Sequence, residues 1–293
     1  MTALHALLGG IVDYAGLFPP AALDMPAAVQ SYVEYRASDE SWMLGRFVAP
    51  AARLPQLDAA LQSVGRMGTD LTVSAVAGDD IVADGSKVVA FNALAPEGRR
   101  VDTVEVRVST RQSIAEAASV ARDGFSVFAE IPVAEDPAAL IDAIAGAELN
   151  AKVRTGGVTV DAFPRAAQVV RFMTRCIHAG VPFKATAGLH HPLCGEYALT
   201  YAADAPRGAM FGFLNVFLTA AALRQGASAE DAMALLGERD PGAFTVTTDA
   251  VSWRGAQLTK EALAETREQS AVAFGSCSFR EPVNELRSLG YLA

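Results

Sequence analysis

The chain has 293 residues, 51% of them hydrophobic, which is enough apolar material for a large core. Its formal net charge is -9 at pH 7, which excludes the overall basic footprint that nucleic acid or an anionic membrane requires. A small anionic substrate stays open, because the charge of a site is local.

Cys176, Cys194 and Cys277 are widely spaced and odd in number, so neither a disulfide framework nor a thiolate zinc site follows from them. No apolar run reaches the ~20 residues of a membrane span. The start MTALHALLGG lacks the basic lead of a secretory signal. A cytoplasmic protein is the expectation.

The opening stretch, IVDYAGLFPPAALDM over residues 11–25, carries Gly16 and Pro19-Pro20 and reads as irregular, with Asp13 and Tyr14 covering a mouth or plugging a floor. After it, short β-branched runs alternate with Ala- and Leu-rich stretches of helical period. The pattern predicts strands over 42–49, 71–77, 103–108, 126–131, 151–154, 182–187, 243–248 and 271–275. Amphipathic segments over 55–64, 113–122 and 137–145 lie between them, and helix-start chemistry appears at Asp136-Pro137 and at Thr259 with Glu261.

Strand–helix repetition at this spacing favours a parallel sheet, and eight units close into a (β/α)8 TIM barrel, one domain over residues 1–293. An open doubly wound sheet usually shows a glycine-rich first turn, and no GxGxxG follows any of these strands.

The stretch from His190 to Gly242, after the sixth predicted strand, is too long for an ordinary crossover. It reads as a loop followed by helices over 209–224 and 229–237, an insertion of the kind that builds lids or subunit contacts. Asn215 and Thr219 are expected as packing groups there, and Met210, Phe211, Phe213 and Phe217 as core or subunit interface, which leaves a homo-oligomer open.

Residues two apart in a strand share a face. Glu105 and Arg107 do so in TVEVRV, Lys152 and Arg154 in AKVRTGG, Lys184 and Thr186 in PFKATAG, and Glu130 ends SVFAEIP. An unpaired charge on the helix-covered outer face of a barrel costs several kcal/mol, so these groups are expected to point inward. Four neighbouring strands then converge on a site at their C-terminal ends, where barrel enzymes place their chemistry.

The leading expectation is an enzyme on a small anionic carbonyl or sugar-like compound, of lyase or isomerase type. In it Arg107 and Arg154 bind the anion. Lys184 is a desolvated amine of lowered pKa, with Lys152 as its companion, and Glu130, backed by Glu105, is the acid–base pair. His190 adds an acid–base group, while His191, Asp249 and Ser276, the last in the FGSCSFREP turn, are expected at the substrate. No cofactor is needed.

A divalent metal on His190, His191, Glu130 and Asp249 is the first alternative. A non-catalytic barrel with a structural charge network is the second. Cys277 is expected to be a buried thiol.

Two stretches resemble deoxyribose-phosphate-aldolase-type class I aldolases, in which a lysine at a K-T-S-T-G-like strand end forms a Schiff base. Here Lys184 heads KATAG and Lys152 precedes it by one strand. No lysine stands on the predicted seventh strand, where that family places its activating one. VDYAGLFPPA, KVRTGG and FKATAGLHHP together resemble a bacterial group of uncharacterised barrel proteins, a resemblance that spans the chain and implies the fold without an activity.

Overall fold

Valine- and alanine-rich strands buried on both faces build the centre of the protein, as a parallel sheet covered by helices requires. The computed structural model describes residues 2–292. Eight strands close into a barrel: β1 (Val12–Tyr14), β2 (Leu44–Pro50), β3 (Leu71–Val76), β4 (Arg99–Arg107), β5 (Ser126–Glu130), β6 (Asn150–Arg154), β7 (Phe183–Thr186) and β8 (Ala271–Ser276). Every neighbouring pair is parallel, and β1 closes the ring between β2 and β8. The expected (β/α)8 barrel is the observed architecture.

The identity of two strands differs from expectation. Residues 12–14 of the opening stretch, expected to be irregular, form β1. Tyr14 faces outward onto Tyr32 and Tyr35 of the helix Met25–Arg36, while Asp13 faces in. The predicted strand over 243–248 is not in the barrel. Phe244–Val246 is the edge of a separate antiparallel sheet with Ala250–Trp253 and Ala256–Thr259.

The physical reason is visible in burial. Phe244 is buried while Thr245 is exposed, the alternation of a sheet solvated on one face, whereas the barrel strands are buried on both. The long insertion therefore follows β7 rather than a sixth strand. It holds a hairpin (Gly195–Ala198 with Arg207–Met210), the helices Phe213–Arg224 and Ala229–Leu236, the small sheet, and the helix Lys260–Gln269 leading into β8.

Helix-start chemistry is where the sequence puts it. The Thr259 hydroxyl accepts the Ala262 N–H, and Asp136 accepts the Ala138 N–H at 3.1 Å. The core lies between the outer barrel face and the helices: Phe274 of β8 stacks on Phe213 at 5.1 Å and meets Phe217 at 6.0 Å. Asn215 is a packing group as expected, accepting the Cys194 N–H and donating to Leu235 and Glu238 carbonyls. Among the described residues no helix is long and apolar enough to cross a membrane.

Candidate functional site

Alternation along β4 to β7 turns Glu105, Glu130, Lys152 and Lys184 inward, and they meet as one chain of alternating charge. Asp13 Oδ2 lies 2.5 Å from Lys184 Nζ, which lies 3.0 Å from Glu105 Oε1. Glu105 Oε2 is 2.7 Å from Lys152 Nζ, which reaches Glu130 Oε2 at 2.9 Å. Glu130 Oε1 then takes Arg154 Nε at 3.2 Å and Arg107 Nε at 3.9 Å. The chain runs from a buried interior to solvent: Lys184 is 2% exposed, whereas the Arg154 and Arg107 side chains are 44% and 79% exposed.

Neighbours fix the buried end. Ser74 donates to Glu105 at 2.8 Å, and Phe128 places its ring 4.8 Å from the Lys184 ammonium. Asp13 Oδ1 accepts the backbone N–H of Arg46 at 2.7 Å. A Cβ on residue 45 would collide with that carboxylate, so the close approach requires Gly45. Below it, Arg46 forks onto Asp102 with bonds of 2.6 and 2.9 Å.

These contacts decide the charge states. Burial opposes ionisation of Glu105, yet the Lys152 and Lys184 ammoniums and their hydrogen bonds prevail, holding its carboxyl well below the usual range. Burial likewise opposes charge on Glu130, and Lys152 and Arg154 pull its pKa down. For Lys184, burial is outweighed by Asp13 and Glu105, and its pKa rises; Lys152 rises for the same reason, between Glu105 and Glu130. The expected lowered-pKa amine at Lys184 is not found, because its neighbours are carboxylates rather than cations.

Above the chain, at the C-terminal ends of the strands, lies a cavity of about 340 Å³. Glu105, Glu130, Lys152, Arg107, Arg154 and His190 line it, while Lys184 lies beneath its floor and contributes no lining. Leu199 and Met210 of the insertion close it from above, and Phe18 with Pro19-Pro20 flank it. The opening stretch therefore serves both levels of the site, Asp13 beneath the floor and the prolines at the mouth. The wall after β7 is wound tightly: Ala187 and Gly188 both have positive φ, 62° and 71°. Phe163 packs its ring against Gly156 and Gly188, joining the loops after β6 and β7.

The two histidines separate. His190 Nδ1 bonds Glu281 at 2.9 Å, and His191 Nδ1 bonds Glu285 at 2.6 Å, both carboxylates on the final helix Arg280–Ser288. His191 also stacks on Tyr197 at 3.5 Å and stays out of the cavity. Tyr201 donates to Glu281 at 3.1 Å and sits 3.6 Å from the Cys277 sulfur. Burial opposes charge on Glu281, and the His190 hydrogen bond brings its pKa down. Burial pushes the Cys277 thiol up; all three thiols are free and buried, Cys277 against the cavity.

Asp249 is exposed in the turn of the small antiparallel sheet, away from the cavity. Ser276 faces away from the mouth, its hydroxyl accepting the Ser278 N–H. His190, His191, Glu130 and Asp249 are thus not brought together as metal ligands, and no cluster of three or more His, Cys, Asp or Glu side chains suited to a metal occurs among the described residues.

Sequence reasoning did not find Ser74, Phe163, Glu281 or Tyr201 at the site. Each is set by a partner far away in the chain, 91 residues for His190 and Glu281, and no local pattern marks such a pairing. Asp13 stands on a three-residue strand that shows no alternation of burial. No protein-family profile matches the chain, and no curated protein matches it. The fold and site define a (β/α)8 barrel with a charged, partly cationic mouth.

Proposed function

We propose that the protein is an enzyme acting on a small anionic carbonyl compound, moving a proton next to the carbonyl in an isomerase or carbon–carbon lyase reaction. The observation that carries this reading is Lys152: an ammonium on the cavity floor, held by Glu105 and Glu130, with Arg107 and Arg154 above it on one side. The arginines bind the substrate's anionic group, since guanidinium pairs with carboxylate or phosphate oxygens.

Glu130 is the base. Its carboxylate takes a proton from the carbon beside the carbonyl, and the electron pair moves onto the carbonyl oxygen. Lys152, kept protonated by its two carboxylates, stabilises that oxyanion by a charge-assisted hydrogen bond. With a hydroxyl on the carbon that lost the proton, return of the proton to the former carbonyl carbon, and passage of the hydroxyl proton to the former carbonyl oxygen, complete an isomerisation. In the lyase direction Glu130 takes a hydroxyl proton instead, the carbon–carbon bond breaks, and the enolate recovers the proton. Glu105 has three donors on it, Ser74, Lys152 and Lys184, and acts as a positioning group. His190, oriented by Glu281, is the second acid–base group at the wall.

A second reading has an observation of its own. With strands counted around the ring, Lys152 stands on β6 and Lys184 on β7, so the lysine that the aldolase resemblance lacks on a seventh strand is present. Under that reading Lys152 passes a proton to Glu130 and forms the imine, while Lys184 holds Glu105 in place beneath it. Proton NMR in D2O with a panel of 2-oxo acids and phosphorylated ketoses and aldehydes tests the common ground: exchange at the carbon beside the carbonyl is expected, and its absence across the panel rejects both readings. Borohydride added to the same mixtures separates them, because only the imine leaves a mass adduct on Lys152.

A further inference from the structure

Beside the axial cavity lies a second hollow, a groove of about 640 Å³ bounded by the loops after β4, β5 and β6. The residues common to both are Arg107, Glu130 and Arg154, so these three form the wall between them. The far side of the groove is largely apolar, with Ile131, Pro132, Val133, Phe163 and Pro164.

Several of its polar groups are already engaged. The Thr110 hydroxyl accepts the Ser113 N–H at 3.1 Å, and the Ser113 hydroxyl accepts the N–H groups of Ser109 and Thr110 at 3.2 Å. The Ser113 N–H at the start of the helix Arg111–Ala121 is therefore taken by the helix's own capping box. The Gln168 amide accepts the Arg165 N–H and donates to the Ala134 carbonyl. Among the described residues no cation other than the two wall arginines lines the groove, and Asp161 at its edge repels a further anion.

We infer that the substrate is two-armed: a carbonyl arm enters the axial cavity, an uncharged and largely apolar arm lies in the groove, and one anionic group between them rests on Arg107 and Arg154. A single negative charge suits the wall, because its two guanidiniums share only Glu130, which Lys152 also engages. The carboxylate or phosphodiester is then carried mid-molecule rather than at an end. This rests on the reading of the axial cavity as a carbonyl site, but binding in the groove needs no turnover.

Calorimetric titration with three probes tests it: 4-oxopentanoate (carbonyl arm and carboxylate), 3-phenylpropanoate (apolar arm and carboxylate) and 2-benzyl-4-oxopentanoate (both arms on one carboxylate). The two-armed probe is expected to bind at least about tenfold more tightly than either other, from burial of one aromatic ring. Ala134→Trp, a substitution at an exposed position lining the groove, is expected to abolish that gain and leave 4-oxopentanoate unaffected. Equal affinities for all three, a gain that survives Ala134→Trp, or no binding of any probe would overturn the inference. Binding of the two benzyl probes that Ala134→Trp removes, with none of 4-oxopentanoate, supports the groove and rejects the carbonyl reading of the cavity.

Discussion

Lys184 Nζ and Asp13 Oδ2 stand 2.5 Å apart inside the barrel, joining β7 to β1 across the small residues Ala273 and Gly275 of β8. Both are buried and neither lines the mouth cavity. This pair lies beneath the cavity, whereas Lys152 one strand away lines it. Replacing Lys184 by Met strands Asp13 and removes one of the three donors on Glu105. Loss of one partner of a buried pair costs about 3–5 kcal/mol. Denaturant unfolding of Lys184→Met is expected to show a loss of that order, and the double variant with Asp13→Leu should recover part of it. A loss under about 1 kcal/mol in the single variant would contradict a structural role.

The same chain sets the pH range of stability. Glu105 and Glu130 have folded-state pKa values below the ordinary glutamate value of about 4.3. Their contribution is present above that pH and is lost as pH falls towards the folded-state values. Lys152 and Lys184 have folded-state values above the ordinary ~10.4. Their contribution is complete below that pH and is lost as pH rises through the folded-state values. The urea midpoint is therefore expected to be flat from roughly pH 5 to pH 10 and to fall on either side. Glu105→Gln should be less stable at neutral pH, and the gap to wild type should narrow as pH drops below about 4. A gap independent of pH would remove Glu105 as its source.

A left-handed backbone at Ala187, φ 62°, is strain stored in the cavity wall. Ala→Gly ordinarily loses about 0.5–1 kcal/mol through the unfolded chain, but relief of a left-handed alanine returns about 1–2 kcal/mol. Ala187→Gly is expected to be neutral or stabilising by up to about 1.5 kcal/mol by thermal melting. Gly188→Ala is expected to destabilise, since its φ is also positive and its Cβ would lie 2.9 Å from Phe163 and 3.1 Å from the Gly156 Cα.

Charged residues were the legible part of this site, because a charge on a strand buried on both faces has only the interior to go to. That logic placed Glu105, Glu130, Lys152 and Lys184 together without coordinates. It could not rank the two lysines. Their strands are neighbours and their register pairs them, Lys152 opposite Lys184; only Asp13 decides which one is sunk, and Asp13 sits on a three-residue strand too short to display a period. Residues 243–248 read as a barrel strand for the complementary reason. The stretch FTV alternates cleanly because it is solvated on one face, and alternation is what a strand prediction rewards, while the barrel's own strands show less of it. His190 and His191 were found as residues, but their partners on the final helix lie beyond any sequence window.

Glu130 is where the catalytic and structural readings of the mouth separate. Three cations reach it, Lys152 at 2.9 Å, Arg154 at 3.2 Å and Arg107 at 3.9 Å. Glu130→Gln keeps the shape and removes one negative charge from the wall. If Glu130 serves only to balance the cations, the variant should lose stability and leave proton exchange in D2O as it was. If Glu130 is the base, the freed arginines should hold 4-oxopentanoate more tightly, while exchange beside the carbonyl falls by about 10²-fold or more, the usual contribution of a positioned general base. Tighter binding together with slower exchange is the expected pair, read by calorimetry and NMR on one preparation. Equal exchange in the two proteins would leave Glu130 as a counter-ion and His190 as the base.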